Sequence, residues 1–264
     1  MTTLRFTLAG SRDPGAQTVV LSAGLGGAAA FWSPQMEALG RRYRVLTYDH
    51  RGTGDNSGPL PDGYAIDDMA AEVVAMLDDA AVDRAHVVGH ALGGLVALAL
   101  ALRVPERLRS IALVNAWATL DGVTRRCFEA RLALLAGGGP AAYVRAQPIF
   151  LYPAAWLATH AERVARDDAH GIATFQGEQT LRRRIAALMG FDAGPQLGTV
   201  AMPAWVAAAR DDVLVPFLCS EALAAQLGEA RLWLAPSGGH AVTVTEPASF
   251  NAALLDFLAS VPSG

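Results

Sequence analysis

Residues 85–100 read AHVVGHALGGLVALAL, a short apolar run, a glycine-rich turn and a second, longer apolar run. The pattern predicts a buried strand that passes through a tight turn into a helix. The spacing is that of Gly-x-Ser-x-Gly, in which a serine on a strained turn serves as a nucleophile. Here the frame is GHALG (89–93), and Ala91 occupies the serine position. A methyl group cannot attack a substrate.

Similar apolar runs recur along the chain and alternate with segments of helical periodicity. Besides the run at 85–91, they are TVVLSA (18–23), YRVLTYDH (43–50), RSIALVNAW (109–117), PAWVAAARDD (203–212) and ARLWLAPSGGH (230–240). Such an alternation is typical of a parallel sheet covered on both faces. LRFTLAGSRDPGAQ (4–17) predicts an antiparallel edge strand, and PASFNAALLDFLASV (247–261) predicts a final amphipathic helix. We therefore expect an α/β fold with a mostly parallel central sheet flanked by helices.

One long interval has no strand pattern. Residues 118–198 are rich in Ala, Leu and Arg with helical periodicity, interrupted by GGGP (137–140) and by Pro153. We interpret this interval as a helical cap inserted over the ends of the strands. The expected organisation is an α/β core made of residues 1–117 and 199–264, with the cap at 118–198.

The composition limits the classes of partner. The 264 residues are 52% hydrophobic with a mean hydropathy of +0.28, enough for a large core. The net charge of −4 argues against general nucleic-acid binding, which needs a basic face. No apolar run reaches the ~18 residues that span a bilayer, and no secretory leader pattern opens the chain. We expect a cytoplasmic protein without membrane or nucleic-acid partners, and both monomer and homodimer stay open.

The absence of lysine and the spacing of the cysteines exclude several kinds of catalytic and cofactor site. All 21 basic residues are Arg, so the chain has no lysine for a P-loop, a Schiff base or a Ser-Lys dyad. Cys127 and Cys219 form neither a disulfide framework nor a CxxC pair, and no zinc-type spacing is present. We therefore expect neither a metal nor a cofactor.

Glycine-rich turns follow two of the predicted strands, at the edge where open α/β sheets bind ligands. AGLGG (23–27) follows TVVLSA, and Leu92 within GHALG begins the next helix, where its N–H gains from the helix dipole. The glycine pattern by itself favours a tight turn that binds nothing. Together with the second turn, it predicts that the N–H groups of Leu25 and Leu92 form an oxyanion hole for an anion.

Two later segments resemble the α/β-hydrolase superfamily. RDDVLVP (210–216) resembles the loop that carries the acid of α/β-hydrolase triads, and its spacing selects Asp212. PSGGH (236–240) ends at His240, where that family places its catalytic histidine. The order along the chain, with the nucleophile turn first, then the acid and then the histidine, is also that of the family. The resemblance implies an α/β-hydrolase fold in which Asp212 orients His240 and His240 moves protons.

The predicted cap carries a more specific resemblance. Four of its segments resemble the RutD family of the Rut pathway of uracil catabolism, which also carries GHALG: TRRCFEAR (124–131), AQPIFLYPAAW (146–156), FQG (175–177) and LRRRIAAL (181–188). This resemblance implies an enzyme, a hydrolase of C–N bonds, in which Ala91 is the native residue. It also implies a small anionic substrate, carbamate or aminoacrylate.

Neither anion requires a covalent nucleophile. Carbamate breaks down to ammonia and carbon dioxide once its nitrogen is protonated, and aminoacrylate can be protonated on carbon before water adds. We therefore expect acid–base catalysis by His240 and Asp212 without a serine. Trp117, at the end of a predicted strand, is expected to line the site. Arg125 and Arg126 are candidates to bind the anion, and a solvated helix face is at least as compatible with both.

Two other functions stay open from the sequence. A degenerate hydrolase would bind a small ligand without turnover. An esterase or acyl hydrolase inactivated by a Ser-to-Ala change would regain activity with serine at position 91. The nearest substitutes for the missing nucleophile are Thr119, Ser237 and Cys219. None lies at a tight strand-to-helix turn like that of Ala91, so covalent catalysis is not expected.

Overall fold

The computed structural model describes residues 3–262, and seven strands in this range form one sheet. The strands are β1 (Phe6–Gly10), β2 (Thr18–Ser22), β3 (Arg44–Tyr48), β4 (Ala85–His90), β5 (Leu108–Val114), β6 (Ala204–Ala209) and β7 (Ala230–Ala235). Their order across the sheet is β1-β3-β2-β4-β5-β6-β7. The β1–β3 pair is antiparallel, and the other neighbouring pairs are parallel. The mostly parallel sheet and the antiparallel edge strand predicted from the sequence are both confirmed.

The central strands are mostly apolar because both faces of the sheet are buried there. In β2, Val19 and Leu21 belong to one hydrophobic core and Val20 belongs to the other. Helices α1 (Ser33–Gly40) and α10 (Pro247–Ser260) cover the first core, and α10 is the predicted final helix. The second core is covered by α2 (Ile66–Asp79), α3 (Leu92–Arg103) and α8 (Phe217–Gln226). Within residues 3–262, no helix combines the length and the apolar character that crossing a membrane requires.

Between β5 and β6 the described chain is helical. These inserted helices are α4 (Gly122–Leu151), α5 (Ala154–Thr159), α6 (Ala161–Ala173) and α7 (Glu178–Gly190), and the short α9 (Val242–Thr245) follows β7. Helix α4 is kinked at Gly139, whose φ of 70° favours glycine, just before Pro140, which lacks the helical N–H donor. The helical interval is thus observed, while the division into a core and a cap at residues 118 and 198 stays a prediction.

Helix α4 begins at a side-chain cap and buries one stripe of its surface. The Asp121 carboxylate accepts hydrogen bonds from the N–H groups of Val123 and Thr124, at 2.7 and 3.2 Å. Three or four residues separate successive members of the buried stripe, so they share one face of the helix. In the first half of α4 they are Thr124, Phe128, Arg131 and Leu135.

Candidate active site

The turn between β4 and α3 holds Ala91 in a strained backbone conformation. Its φ is 48° and its ψ is −110°, and such strain costs a residue about 1–3 kcal/mol. A Cβ atom on Gly89 would lie 2.1 Å from the Gly93 carbonyl oxygen, and one on Gly93 would lie 2.1 Å from the Ser22 carbonyl oxygen. The two glycines therefore let strand and helix approach closely, with Ala91 at the tip of the turn.

Asp212 and His240 follow β6 and β7 and lie in contact. His240 Nδ1 donates a 2.8 Å hydrogen bond to Asp212 Oδ2, and both residues are buried. Because the carboxylate holds the Nδ1 proton, Nε2 is the ring nitrogen left for a substrate. The two strands are neighbours in the sheet, so residues 28 positions apart in the chain meet at one edge.

Asn115, directly after β5, binds the same carboxylate and was not evident from the sequence. Its Nδ2 donates to Asp212 Oδ2 over 2.6 Å. The N–H groups of Leu214 and Val215 donate to Oδ1 over 2.8 and 3.0 Å. With His240, the carboxylate accepts from four donors, which fix its orientation. The position of Asn115 at the end of a predicted strand was the available signal.

His90, the last residue of β4, supports the histidine. Its Nε2 donates to the His240 carbonyl oxygen over 2.8 Å, and the centres of the two rings are 4.7 Å apart. Burial lowers the pKa of His90 to about 3. Its imidazole is therefore neutral at neutral pH, where it holds the loop of His240 in place rather than supplying a proton. The GHALG motif by itself does not reveal this contact.

The N–H groups of Leu25 and Leu92 belong to residues that line the same cavity as His240. The turn around Leu25 is closed by a 2.9 Å hydrogen bond from the Gly27 N–H to the Gly24 carbonyl. Leu92 is the first residue of α3, where an N–H has no partner inside the helix. Across residues 3–262, neither N–H donates to a protein acceptor. Both are available to an anion, and their assignment as an oxyanion hole stays a prediction.

The cavity beside these groups has a volume of about 290 Å³ and is lined by both Ala91 and His240. Trp117, which the sequence places at the site, is buried in its wall. Most of the lining is apolar, with further contributions from Leu25, Ala28, Phe31, Leu92, Phe128, Leu151, Leu188 and Leu214. In the described part of the chain, no group of His, Cys, Asp and Glu side chains is arranged to hold a metal ion.

Arg125 and Arg126 lie outside this cavity, which corrects the expectation that they bind the anion. Both are exposed, and neither lines the cavity. The reason is helical geometry, since the buried stripe of α4 runs through Thr124, Phe128 and Arg131. Arg131 lines the cavity instead and is only 3% exposed. The spacing of that stripe was the signal that could have found it.

The substitute nucleophiles also lie outside the cavity. Thr119 Oγ1 donates to the Asp192 carboxylate at 2.8 Å, and Ser237 is exposed. Cys219 Sγ donates to the Asp121 carboxylate at 3.3 Å. Burial and that carboxylate raise the pKa of the Cys219 thiol to about 12, which keeps it protonated. None of the three replaces the missing serine hydroxyl.

Comparisons with known proteins agree with this architecture. A sequence profile described as "alpha/beta hydrolase fold" matches residues 17–247. A protein of Variovorax paradoxus (strain S110), named "Putative carbamate hydrolase RutD", is 54% identical over 259 residues, covering 98% of this chain and 97% of that protein. The chain belongs to the RutD family of α/β hydrolases. A RutD relative of the same name from Agrobacterium fabrum (strain C58 / ATCC 33970) is 48% identical over 255 residues, or 97% of this chain and 98% of that protein.

Solved structures of hydrolases superpose on this RutD-family chain over nearly its whole length. The enol-lactonase from Burkholderia xenovorans LB400 gives a TM-score of 0.87 at 25% identity, covering 97% of this chain and 96% of that one. A hydrolase from Pseudomonas aeruginosa PA01 gives a TM-score of 0.85 at 31% identity, covering 96% and 93%. The α/β-hydrolase fold and the RutD family predicted from the sequence are confirmed, and the protein is a hydrolase of this family.

Proposed function

We propose that this RutD-family hydrolase acts on a small carbamate or aminoacrylate anion of uracil catabolism and releases ammonia by proton transfer, without a covalent intermediate. One observation carries the proposal: the His240–Asp212 pair is complete, and His240 borders the same cavity as Ala91, whose side chain has no atom able to attack. A site whose activity had disappeared with its nucleophile would not need a histidine oriented by a carboxylate that itself accepts from four donors.

Carbamate is the substrate that the family comparison favours, since the Variovorax and Agrobacterium relatives are both named for carbamate hydrolysis. The nitrogen of H₂N–CO₂⁻ takes up a proton, and the C–N bond then breaks. The electron pair of that bond leaves with ammonia, and carbon dioxide is released. No group attacks the carbon, so the reaction needs a proton donor and a binding site rather than a serine.

Aminoacrylate places the same demands on the protein. Protonation of its carbon next to the carboxylate gives an iminium ion, to which water adds. The resulting carbinolamine then loses ammonia and leaves an aldehyde. Each step moves a proton or a water molecule, and none requires a covalent bond to the protein.

In this mechanism His240 Nε2 transfers the proton to the substrate. Asp212 holds Nδ1 and stabilises the imidazolium before the transfer. The N–H groups of Leu25 and Leu92 hold the substrate carboxylate. The methyl group of Ala91 leaves space in the cavity for the substrate or a water molecule.

The test measures ammonia released from freshly prepared carbamate and, separately, from aminoacrylate, with spontaneous decay subtracted. We expect the wild-type protein to accelerate release. His240→Gln is expected to lower the protein-dependent rate by about 10²–10⁴-fold, the usual contribution of general acid–base catalysis. Ser237→Ala is the matched control, because Ser237 lies in the same loop but is exposed and outside the cavity.

Two outcomes would contradict the proposal in different ways. Unchanged kinetics for His240→Gln would remove the proposed role of the histidine. Release no faster than in buffer, with ligand binding still detected by calorimetry, would instead favour a degenerate hydrolase that only binds.

A further inference from the structure

Arg131 is a buried cation in the wall of the cavity that the mechanism above does not use. It is 3% exposed and lines the same cavity as Ala91 and His240. Its Nη2 donates to the Tyr143 hydroxyl over 2.7 Å and to Gln147 Oε1 over 2.8 Å. Both acceptors are neutral, so neither compensates the charge of the guanidinium group.

The remaining surroundings of Arg131 are aromatic. The rings of Phe128, Tyr143 and Phe150 have their centres 5.3, 5.3 and 5.8 Å from its guanidinium carbon. Such rings stabilise a cation but provide no counter-ion. Within residues 3–262, Arg131 forms no ion pair with a carboxylate, and its Nε has no hydrogen-bond partner. Burying a charge without an opposite charge is costly, so buried cations are normally paired.

Arg184 of α7 is also buried, its acceptors are also neutral, and its Nε also has no hydrogen-bond partner, but its terminal nitrogens have more acceptors than those of Arg131. Its two terminal nitrogens donate to five acceptors: the carbonyl oxygens of Leu25, His50 and Arg51 and the side chains of Thr53 and Gln176. This guanidinium joins an inserted helix to the loops after β2 and β3. Arg131 uses one terminal nitrogen for two acceptors and keeps further N–H groups for a ligand.

We propose that Arg131 binds the CO₂ group of the substrate, a small monoanion of the carboxylate or carbamate class. The proposal rests on the function proposed above and deepens it by assigning the residue that recognises the negative charge. A guanidinium group presents a planar fork of donors that matches a planar CO₂ group. Tyr143 and Gln147 hold that fork in place before the ligand arrives, so little conformational freedom is lost on binding.

The contribution of Arg131 is to affinity rather than to the rate of breakdown. The negative charge of carbamate disappears as carbon dioxide leaves, so a fixed cation stabilises the bound substrate more than the transition state. Removing the cation is therefore expected to raise KM without lowering kcat. Removing His240, the proton donor, is instead expected to lower kcat without raising KM.

The test titrates acetate and bicarbonate, two stable anions with planar CO₂ groups, into the full-length protein by calorimetry in chloride-free buffer. We expect Arg131→Gln to weaken acetate binding by at least about tenfold, the loss of one charge-assisted hydrogen bond. Arg125→Gln is the matched control, exposed on the same helix and expected to bind as the wild type does.

A neutral probe keeps the test independent of whether the variant folds. Acetamide has the shape of acetate without its charge, and the wild-type protein is expected to bind it at least about tenfold more weakly. Equal affinities of the wild-type protein for acetate and acetamide would overturn the proposal. Acetate binding by Arg131→Gln at the wild-type affinity would overturn it as well.

His240→Gln separates this inference from the proposed function. We expect that variant to bind acetate while it loses turnover. If it keeps turnover while Arg131→Gln loses acetate binding, the proposed function fails and the anion site stands. If it loses turnover while Arg131→Gln binds acetate normally, the anion site alone is overturned.

Discussion

The carboxyl edge of the sheet and the inserted helices contribute different kinds of groups to one cavity. The sheet edge contributes Ala91, held by a tight turn, and His240, held by a hydrogen bond to Asp212. Helix α4 contributes Phe128 and Arg131, which are held by neighbouring side chains. In our proposals the sheet edge moves the proton and provides two N–H groups to the substrate carboxylate, and Arg131 of α4 adds the positive charge. This difference between the two regions illustrates that the shared α/β fold can supply the catalytic groups while the inserted helices determine which ligand binds.

A buried guanidinium group is one of the contacts that connect the two regions. Arg184 of α7 donates to carbonyl oxygens in the loops after β2 and β3, including that of Leu25. The loop that carries one predicted anion-binding N–H is therefore held from the side of the inserted helices. Changes in either region can reach the other along this connection.

The largest expected effect concerns the sheet edge. Asp212→Asn leaves one oxygen for four donors, so His240 loses its orienting partner. We expect the protein-dependent rate of ammonia release to fall by about 10²–10⁴-fold. Asp211→Asn is the matched control, since Asp211 accepts only the Gly239 N–H, at 2.8 Å. Equal losses in the two variants would mean that the loop as a whole, rather than the Asp212 carboxylate, is required.

The next largest effect is expected when Arg184, which connects the inserted helices to the sheet edge, is replaced. Arg184→Met removes the donors from five acceptors that are buried or partly buried, and we expect the free energy of unfolding to fall by about 2–4 kcal/mol. Urea-induced unfolding measures it. Arg182→Met is the control on the same helix, because Arg182 is exposed and pairs with Glu178. A loss for Arg184→Met no larger than that of the control would show that α7 is held by other contacts.

A third prediction concerns histidines buried around the sheet. Burial lowers the pKa of His50 and His90 to about 3 and that of His86 to about 4, whereas a histidine in the unfolded chain titrates near ~6.5. The unfolded chain therefore binds more protons between pH values of about 4 and 6.5, and the free energy of unfolding decreases as the pH falls through that range. Each histidine contributes up to about 1.4 kcal/mol per pH unit.

Urea unfolding at a series of pH values measures this dependence, and His86→Gln isolates one histidine. That variant keeps an amide at a site where His86 bonds Ser110 and Gln17. We expect its stability to depend less steeply on pH than that of the wild-type protein. Identical slopes would mean that His86 is not a source of the acid sensitivity.

The smallest expected effect comes from a substitution of Ala91, in the turn between β4 and α3. Ala91→Ser restores a hydroxyl group in the cavity that His240 lines, yet no step of the proposed mechanism uses a nucleophile. We therefore expect ammonia release to be no faster than in the wild-type protein. The same variant is assayed with an activated ester such as p-nitrophenyl acetate. Rapid ester hydrolysis would indicate an inactivated esterase instead.

Much of the site could be located from the sequence because its segments carry local signals. The glycines around Ala91 mark a tight turn, and Asp212 and His240 each follow a predicted strand. Parallel strands end at one edge of a sheet, so such residues are brought together by topology alone. Of the partners that hold them, Asn115 also lies at the end of a predicted strand, whereas nothing in GHALG reveals the contact that His90 makes.

The arginines show where sequence reasoning failed. Arg125, Arg126 and Arg131 lie on one helix and differ by only a fraction of a turn in the face they present. The three- and four-residue spacing of Thr124, Phe128 and Arg131 was a signal for Arg131, but the sequence analysis named the two exposed arginines as candidates. The choice depends on which face of α4 packs on the core, and packing is not a local property.

The amino-acid sequence alone determined the alternation of strands and helices, the family, the turn that carries Ala91 and the absence of an oxygen there. These features follow from hydrophobic periodicity and from the backbone preferences of a few neighbouring residues. The tertiary structure decided the contact between His240 and Asp212 and the burial of Arg131 in the cavity. Both depend on how distant elements pack, which sets the rotation of each helix and the relative position of the strand ends.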